Sequence, residues 1–148
     1  MTRKRASIDK QCAGMERSAK LCMRVLIADD QKSVGTTLAA LVANCDHEVV
    51  EVVGSGFEAI HAYHRHRPDV VLMDYYMPHL NGATACRNIL SRYPAAHVIL
   101  VSGVARAEEL THSGAIAVLS KPIDLARLKV LLNTPSLPFD AEPSIPQN

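Results

Sequence analysis

The chain has no tryptophan and only two phenylalanines, and aromatic residues make up 4% of its 148 positions. Its core must therefore be filled by aliphatic side chains. No apolar run approaches the length of a membrane-spanning helix. The N-terminus is basic but is followed by no apolar stretch, so no secretory signal is expected there. The four cysteines, Cys12, Cys22, Cys45 and Cys86, form no CxxC pair and no metal-ligand spacing, so the expectation is four free thiols in a reducing, cytoplasmic setting.

What is present is the composition of one globular domain, with 48% apolar and 21% charged residues. The formal charge of +1 hides an uneven distribution. Residues 1–24 carry seven basic and two acidic side chains, whereas the rest carries nine basic and thirteen acidic ones. Residues 1–22 are polar and without sustained periodicity, and are expected to form a disordered basic extension. Met1, Met15 and Met23 are all candidate start sites. The ordered domain is expected over 23–133, and residues 134–148, with Pro135, Pro138, Pro143 and Pro146, form a tail.

Between these ends, short apolar runs alternate with helical patterns. The runs are VLIA (25–28), VVEVV (49–53), VVLM (70–73), VILV (98–101) and AIAVL (115–119). Four of the five lack polar alternation, as parallel strands covered on both faces do. Glu51 interrupts the second, which suits an edge. Val34, Leu38, Leu41, Val42 and Cys45 share one helical face. Leu125, Leu128, Leu131 and Leu132 mark a final helix, with Asp124 as its candidate cap. This pattern predicts an α/β fold with a five-stranded parallel sheet between helices.

Every run except the edge one is followed at once by a polar residue: Asp29 and Asp30, then Asp74, Ser102, and Ser120 with Lys121. In a parallel sheet these positions share one rim, where open α/β sheets bind ligands. Taken singly, Asp and Ser often begin turns or cap helices. Taken together, three carboxylates repel unless something neutralises them, and a hard divalent cation such as Mg²⁺ does so with oxygen ligands. Lys121 adds a compact positive charge and Ser102 a hydroxyl. The set describes a phosphoryl-transfer site with Asp74 as nucleophile.

The stretches VLIADD, VVLMDYYMP…NG, VILVSG and SKP resemble the receiver domain of bacterial two-component response regulators, over about Arg24 to Leu132. The resemblance implies a flavodoxin-like, CheY-like fold with strand order 2-1-3-4-5. It implies that Asp74 accepts phosphate from a histidine kinase, a histidine phosphotransfer protein or a small phosphodonor. Asp29 and Asp30 would hold Mg²⁺ with Asp74 and the backbone carbonyl of Tyr76. Ser102 would be the switch hydroxyl and Lys121 the phosphate contact. The bond before Pro122 is often cis in this family. Such a domain is a single-domain switch, not an enzyme beyond its own phosphorylation and dephosphorylation. Its output would be an unidentified partner protein, engaged through the fourth helix, fifth strand and fifth helix. No DNA-binding domain and no membrane association are expected.

Two departures from the family stand out. Three residues before Lys121, where the family places a Tyr or Phe, stands Val118. Ser102 and Lys121 are nineteen residues apart, so the expected fourth helix, between the fourth and fifth strands, is about one turn shorter than usual. That segment is then the natural element to order or loosen on activation. Tyr76 and Val104, each two residues beyond a site residue, flank the water path to the acyl phosphate in this family. One is bulky and the other apolar, which predicts slow self-dephosphorylation.

Other readings are weaker. GSGFEA (54–59) imitates a dinucleotide fingerprint, but it leaves Asp29, Asp30, Ser102 and Lys121 unexplained and is expected to be a plain turn into a helix. An aspartate-based phosphohydrolase usually has a second acid where Tyr76 stands. A receiver-like interaction module freed from phosphorylation would not need all five site positions. His61, His64 and His66 read as a solvated helix face. The charge of the basic head is diffuse, without the interleaved aromatics of a nucleic-acid surface.

Overall fold

The computed structural model of the protein describes residues 22–103 and 112–133. In chain order its elements are β1 (Arg24–Ala28), α1 (Lys32–Asn44), β2 (Glu48–Val53), α2 (Gly56–His66), β3 (Val70–Asp74), α3 (Gly82–Arg92), β4 (Val98–Ser102), β5 (Ala117–Ser120) and α4 (Leu125–Asn133). The five strands are all parallel, in the order β2-β1-β3-β4-β5. The fold class read from the sequence is the one observed. Residues 104–111 lie outside the described residues, and with them the shortened helix and Val104. The basic extension up to residue 21 and the tail from residue 134 lie outside them as well.

Because side chains alternate across a strand, each apolar run feeds two cores. Leu26, Ala28, Val71, Met73, Val98 and Leu100 face Ala59, Ala62 and Tyr63 of α2 and Ala83, Cys86 and Ile89 of α3. Val25, Ile27, Val70, Leu72, Ile99 and Val101 face Leu38 and Val42 of α1 and Leu128 and Leu132 of α4. The three inner strands are buried along their whole length, which is why their sequences show no polar alternation. β2 is an edge strand, as Glu51 indicated. A bulge between its first and second halves twists that edge, and Glu51 accepts hydrogen bonds there from Arg65 (2.7 Å) and His66 (2.8 Å). Both features discourage pairing with another chain.

Two sequence expectations need correction. The fifth strand starts at Ala117, two residues later than the apolar run, and includes Ser120; strand pairing with β4, not hydrophobicity, sets its limits. Cys45 and Cys86 are free and buried, but Cys22 is disulfide-bonded. Spacing along a chain does not reveal which thiols folding brings within bonding distance.

A buried histidine joins the two ends of the domain. The amide of Met23 donates to His47 Nδ1 at 2.9 Å, which leaves the other ring nitrogen to donate to Asn133 Oδ1 at 3.1 Å. The entry to β1, the α1–β2 turn and the last residue of α4 thus meet at one imidazole. This clasp lies at the amino ends of the strands, opposite the polar rim.

Candidate functional site

At the carboxyl rim the polar residues converge as the strand order requires. Asp29, Asp30 and Asp74 each bring a carboxylate oxygen within 4.8 Å of the others. Asp29 and Asp74 are buried and Asp30 is exposed, so the cluster opens to solvent on one side. The Asp29 amide donates to Val53 O at 2.9 Å, and Asp29 Oδ1 accepts from the Gln31 amide at 2.9 Å. The first contact ties Asp29 to the edge strand and the second orients its carboxylate. Asp29 Oδ2 is buried without a hydrogen-bond partner.

Lys121 reaches the same point from the end of β5. Its Nζ lies 3.0 Å from Asp74 Oδ1 and 3.7 Å from Asp29 Oδ2. The Lys121–Pro122 bond is cis, as the resemblance implied. The Lys121 amide donates to Ser102 O at 3.0 Å. Ser102 is itself buried at the end of β4, in register with Ser120. Asp74 pairs in register with Val101 on the same strand, so Asp74 and Ser102 occupy neighbouring strand ends.

The electrostatics follow from burial. Desolvation raises the Asp74 carboxyl above its ordinary value; the Lys121 hydrogen bond pulls it back, and the nearby charges of Asp29 and Asp30 push it up again. Burial acts to lower Lys121, but the hydrogen bond and charge of Asp74, with Asp29 and Asp30, outweigh it and raise the ammonium. Three carboxylates around one ammonium leave negative charge in excess. A buried carboxylate oxygen without a hydrogen bond and an all-oxygen donor set fit a hard divalent cation such as Mg²⁺.

Tyr76 is exposed, and its ring stands edge-on to that of the buried Tyr75 at 4.8 Å. The Asn81-Gly82 pair, which reads as a turn signal, has a sharper role. Asn81 caps α3 by accepting from the Thr84 amide at 2.8 Å, and the Gly82 amide donates to Tyr75 O at 2.7 Å. A Cβ on Gly82 would stand 2.3 Å from Asp74 O, so glycine is required for α3 to begin against the end of β3. The Gln31 amide and Gly82 were not identifiable as site residues from sequence, because neither contributes a side-chain function.

The competing motifs resolve into ordinary structure. GSGFEA is a turn into α2, in which Ser55 caps the Glu58 amide at 3.1 Å and Glu58 accepts from the Gly54 amide at 2.8 Å. That is a variant of the capping box. His61 and His64 are exposed, and His66 is paired with Glu51. Among the described residues, the three aspartates form the one cluster suited to a metal. Val118 is partly buried against the core shared with α2 and α3, where the family has a ring. No helix among the described residues is long and apolar enough to cross a membrane.

Comparisons with known proteins identify the family to which this fold belongs. The chain is 39% identical over 107 residues to a protein-glutamate methylesterase/protein-glutamine glutaminase of Geobacter metallireducens, covering 68% of this chain and 30% of that protein. It is 36% identical over 107 residues to the transcriptional regulatory protein PdtaR of Mycobacterium tuberculosis, covering 71% of this chain and 52% of that one. The chain thus spans from under a third to about half the length of these relatives. Among solved structures, CheY of Borrelia burgdorferi in a CheX–CheY–BeF3–Mg complex superposes with a TM-score of 0.69 at 27% identity, over 73% of this chain and 86% of that one. The model of the response regulator receiver domain matches residues 25–133, and the chain belongs to that family.

Proposed function

We propose that this receiver domain accepts a phosphoryl group on Asp74 and that the modification switches its binding to a partner protein. The observation that carries this reading is the placement of Asp74: a buried carboxylate at a strand end, 3.0 Å from an ammonium and clustered with two further acids. Asp29, Asp30, Asp74 and the backbone carbonyl of Tyr76 would hold Mg²⁺. Bound there, the ion would supply positive charge opposite the phosphoryl oxygens.

In the reaction, an Asp74 carboxylate oxygen attacks phosphorus in line with the leaving group. The bond between phosphorus and the donor breaks as the acyl phosphate bond forms, and the electron pair leaves with the donor, a phosphohistidine imidazole or a small phosphodonor such as acetyl phosphate. Lys121 is already at the acceptor oxygen and offers its ammonium to the incoming phosphoryl group. Ser102, at the neighbouring strand end, offers its hydroxyl as a donor to a phosphoryl oxygen. The donor in the cell is a histidine kinase or histidine phosphotransfer protein, and the output is a protein bound through the face that includes β5 and α4. The CheX–CheY–BeF3–Mg complex of a relative supports both the ion and a protein partner.

Incubation with acetyl phosphate and Mg²⁺ tests this reading. Mass spectrometry should find one acid-stable, base-labile phosphoryl group on Asp74, absent from Asp74→Asn. Phosphate on another residue, or none, overturns it.

A further inference from the structure

The segment that follows Asp74 is pressed from two sides by buried glycines, each at the start of a different helix. On the α3 side, Gly82 abuts the carbonyl of Asp74. On the α2 side, a Cβ on Gly56 would stand 2.7 Å from Leu80 O, 3.1 Å from Leu80 Cβ and 3.2 Å from Leu80 Cδ2. Gly56 is in the helix and has no positive φ, so it is space and not backbone conformation that calls for glycine. An alanine there would otherwise favour the helix.

The nearest atom to such a Cβ belongs to backbone, so it has to be relieved by moving either α2 or the loop. α2 is well anchored: Ala59, Ala62 and Tyr63 are buried, and its first turn is tied by the Ser55 and Glu58 caps. The loop has a single core anchor in its middle, Met77, while Tyr76, Pro78 and His79 are exposed. It is closed by the Gly82 amide on Tyr75 O and the Leu80 amide on Pro78 O, both at 2.7 Å, with His79 held at φ 68°. On the α3 side Gly82 packs so closely on Asp74 and Tyr75 that even a Cβ would not fit, so a push at Leu80 meets most resistance there. It travels back through residues 76–79 instead.

We infer that Gly56 is a positioning residue for the cation site: its missing side chain sets how closely residues 75–81 lie on α2, and so where the Tyr76 carbonyl stands. The inference rests on the metal reading proposed above, and Gly56 itself offers no ligand atom. A glycine that merely eased packing would affect stability and leave the affinity of the folded protein for the ion unchanged.

The experiment is calorimetric titration of Mg²⁺ into the unphosphorylated full chain, with circular dichroism confirming that each variant is folded. Gly56→Ala should bind Mg²⁺ about tenfold more weakly, the low end of what the loss of an outer support does to a metal site. Asp30→Ala serves as the ligand control. If the unaltered protein binds no Mg²⁺, or Asp30→Ala binds it equally well, the metal reading fails and takes the inference with it. If both controls behave and folded Gly56→Ala binds with unaltered affinity, the inference alone is overturned. Should Gly56→Ala not fold, Leu80→Ala decides, because it removes Cδ2 from the same contact: weaker binding supports the positioning role and unchanged binding overturns it.

Discussion

Lys121 and Asp74 lie forty-seven positions apart in the chain, yet the Lys121 ammonium rests 3.0 Å from Asp74 Oδ1. The contact does not neutralise the site. Desolvation, with Asp29 and Asp30 nearby, still holds the Asp74 carboxyl above its ordinary value. A carboxyl raised in the folded state favours folding most when protonated. That contribution is complete below the unfolded carboxylate range and is lost as pH rises through the raised folded value. Asp74→Asn should therefore raise the thermal midpoint at neutral pH in metal-free buffer by a few degrees. The gain should shrink as the buffer is acidified. Paired melting curves across that range check it, and a midpoint lowered at neutral pH would contradict the electrostatic account.

If Asp74 is the acceptor, as proposed, Tyr76 should govern the lifetime of the phosphorylated state. Its exposed ring leans on Tyr75 beside the acceptor, and it cannot orient an attacking water as an amide side chain can. Tyr76→Asn should lose phosphate several-fold faster after the donor is removed, with phosphorylation at Asp74 retained. A rate equal to or below that of the unaltered protein would count against the ring as a barrier.

Cys86 should be chemically silent. Burial pushes its thiol up to about 11, against a smaller opposing pull from Ser113 and Arg87. At mildly alkaline pH almost no thiolate is present, and thiolate is the reactive form. Iodoacetamide should leave Cys86 unlabelled in the folded protein and label it promptly in denaturant, as peptide mapping would show. Rapid labelling under native conditions would mean that the α3 face of the core opens readily.

His47→Ala should destabilise the domain by about 1–3 kcal/mol, the usual penalty for leaving a buried donor or acceptor unsatisfied. The Met23 amide would lose its acceptor and Asn133 its partner. Denaturant melts measure the loss, and phosphorylation of the folded fraction should persist because the clasp lies at the far end of the sheet. An unchanged midpoint would show that water replaces the imidazole.

Among the described residues, the sequence by itself determined the strands, the helices and the polar residues that end the strands at one rim. Burial of a parallel strand on both faces demands an unbroken apolar run, so VLIA, VVLM and VILV announce themselves, and the polar residue that ends each run marks the rim. Glu51 betrayed the edge for the same reason. Other features depended on contacts between distant segments, which leave no periodic trace. The limits of β5 came from its pairing with β4, the bonded state of Cys22 from proximity in space, and the His47 clasp from three chain segments meeting at one ring. Gly56 illustrates the difference most sharply. In sequence it is one glycine in a turn; only packing against Leu80 shows that a methyl group there has no room, because steric exclusion belongs to the folded arrangement and not to the residue.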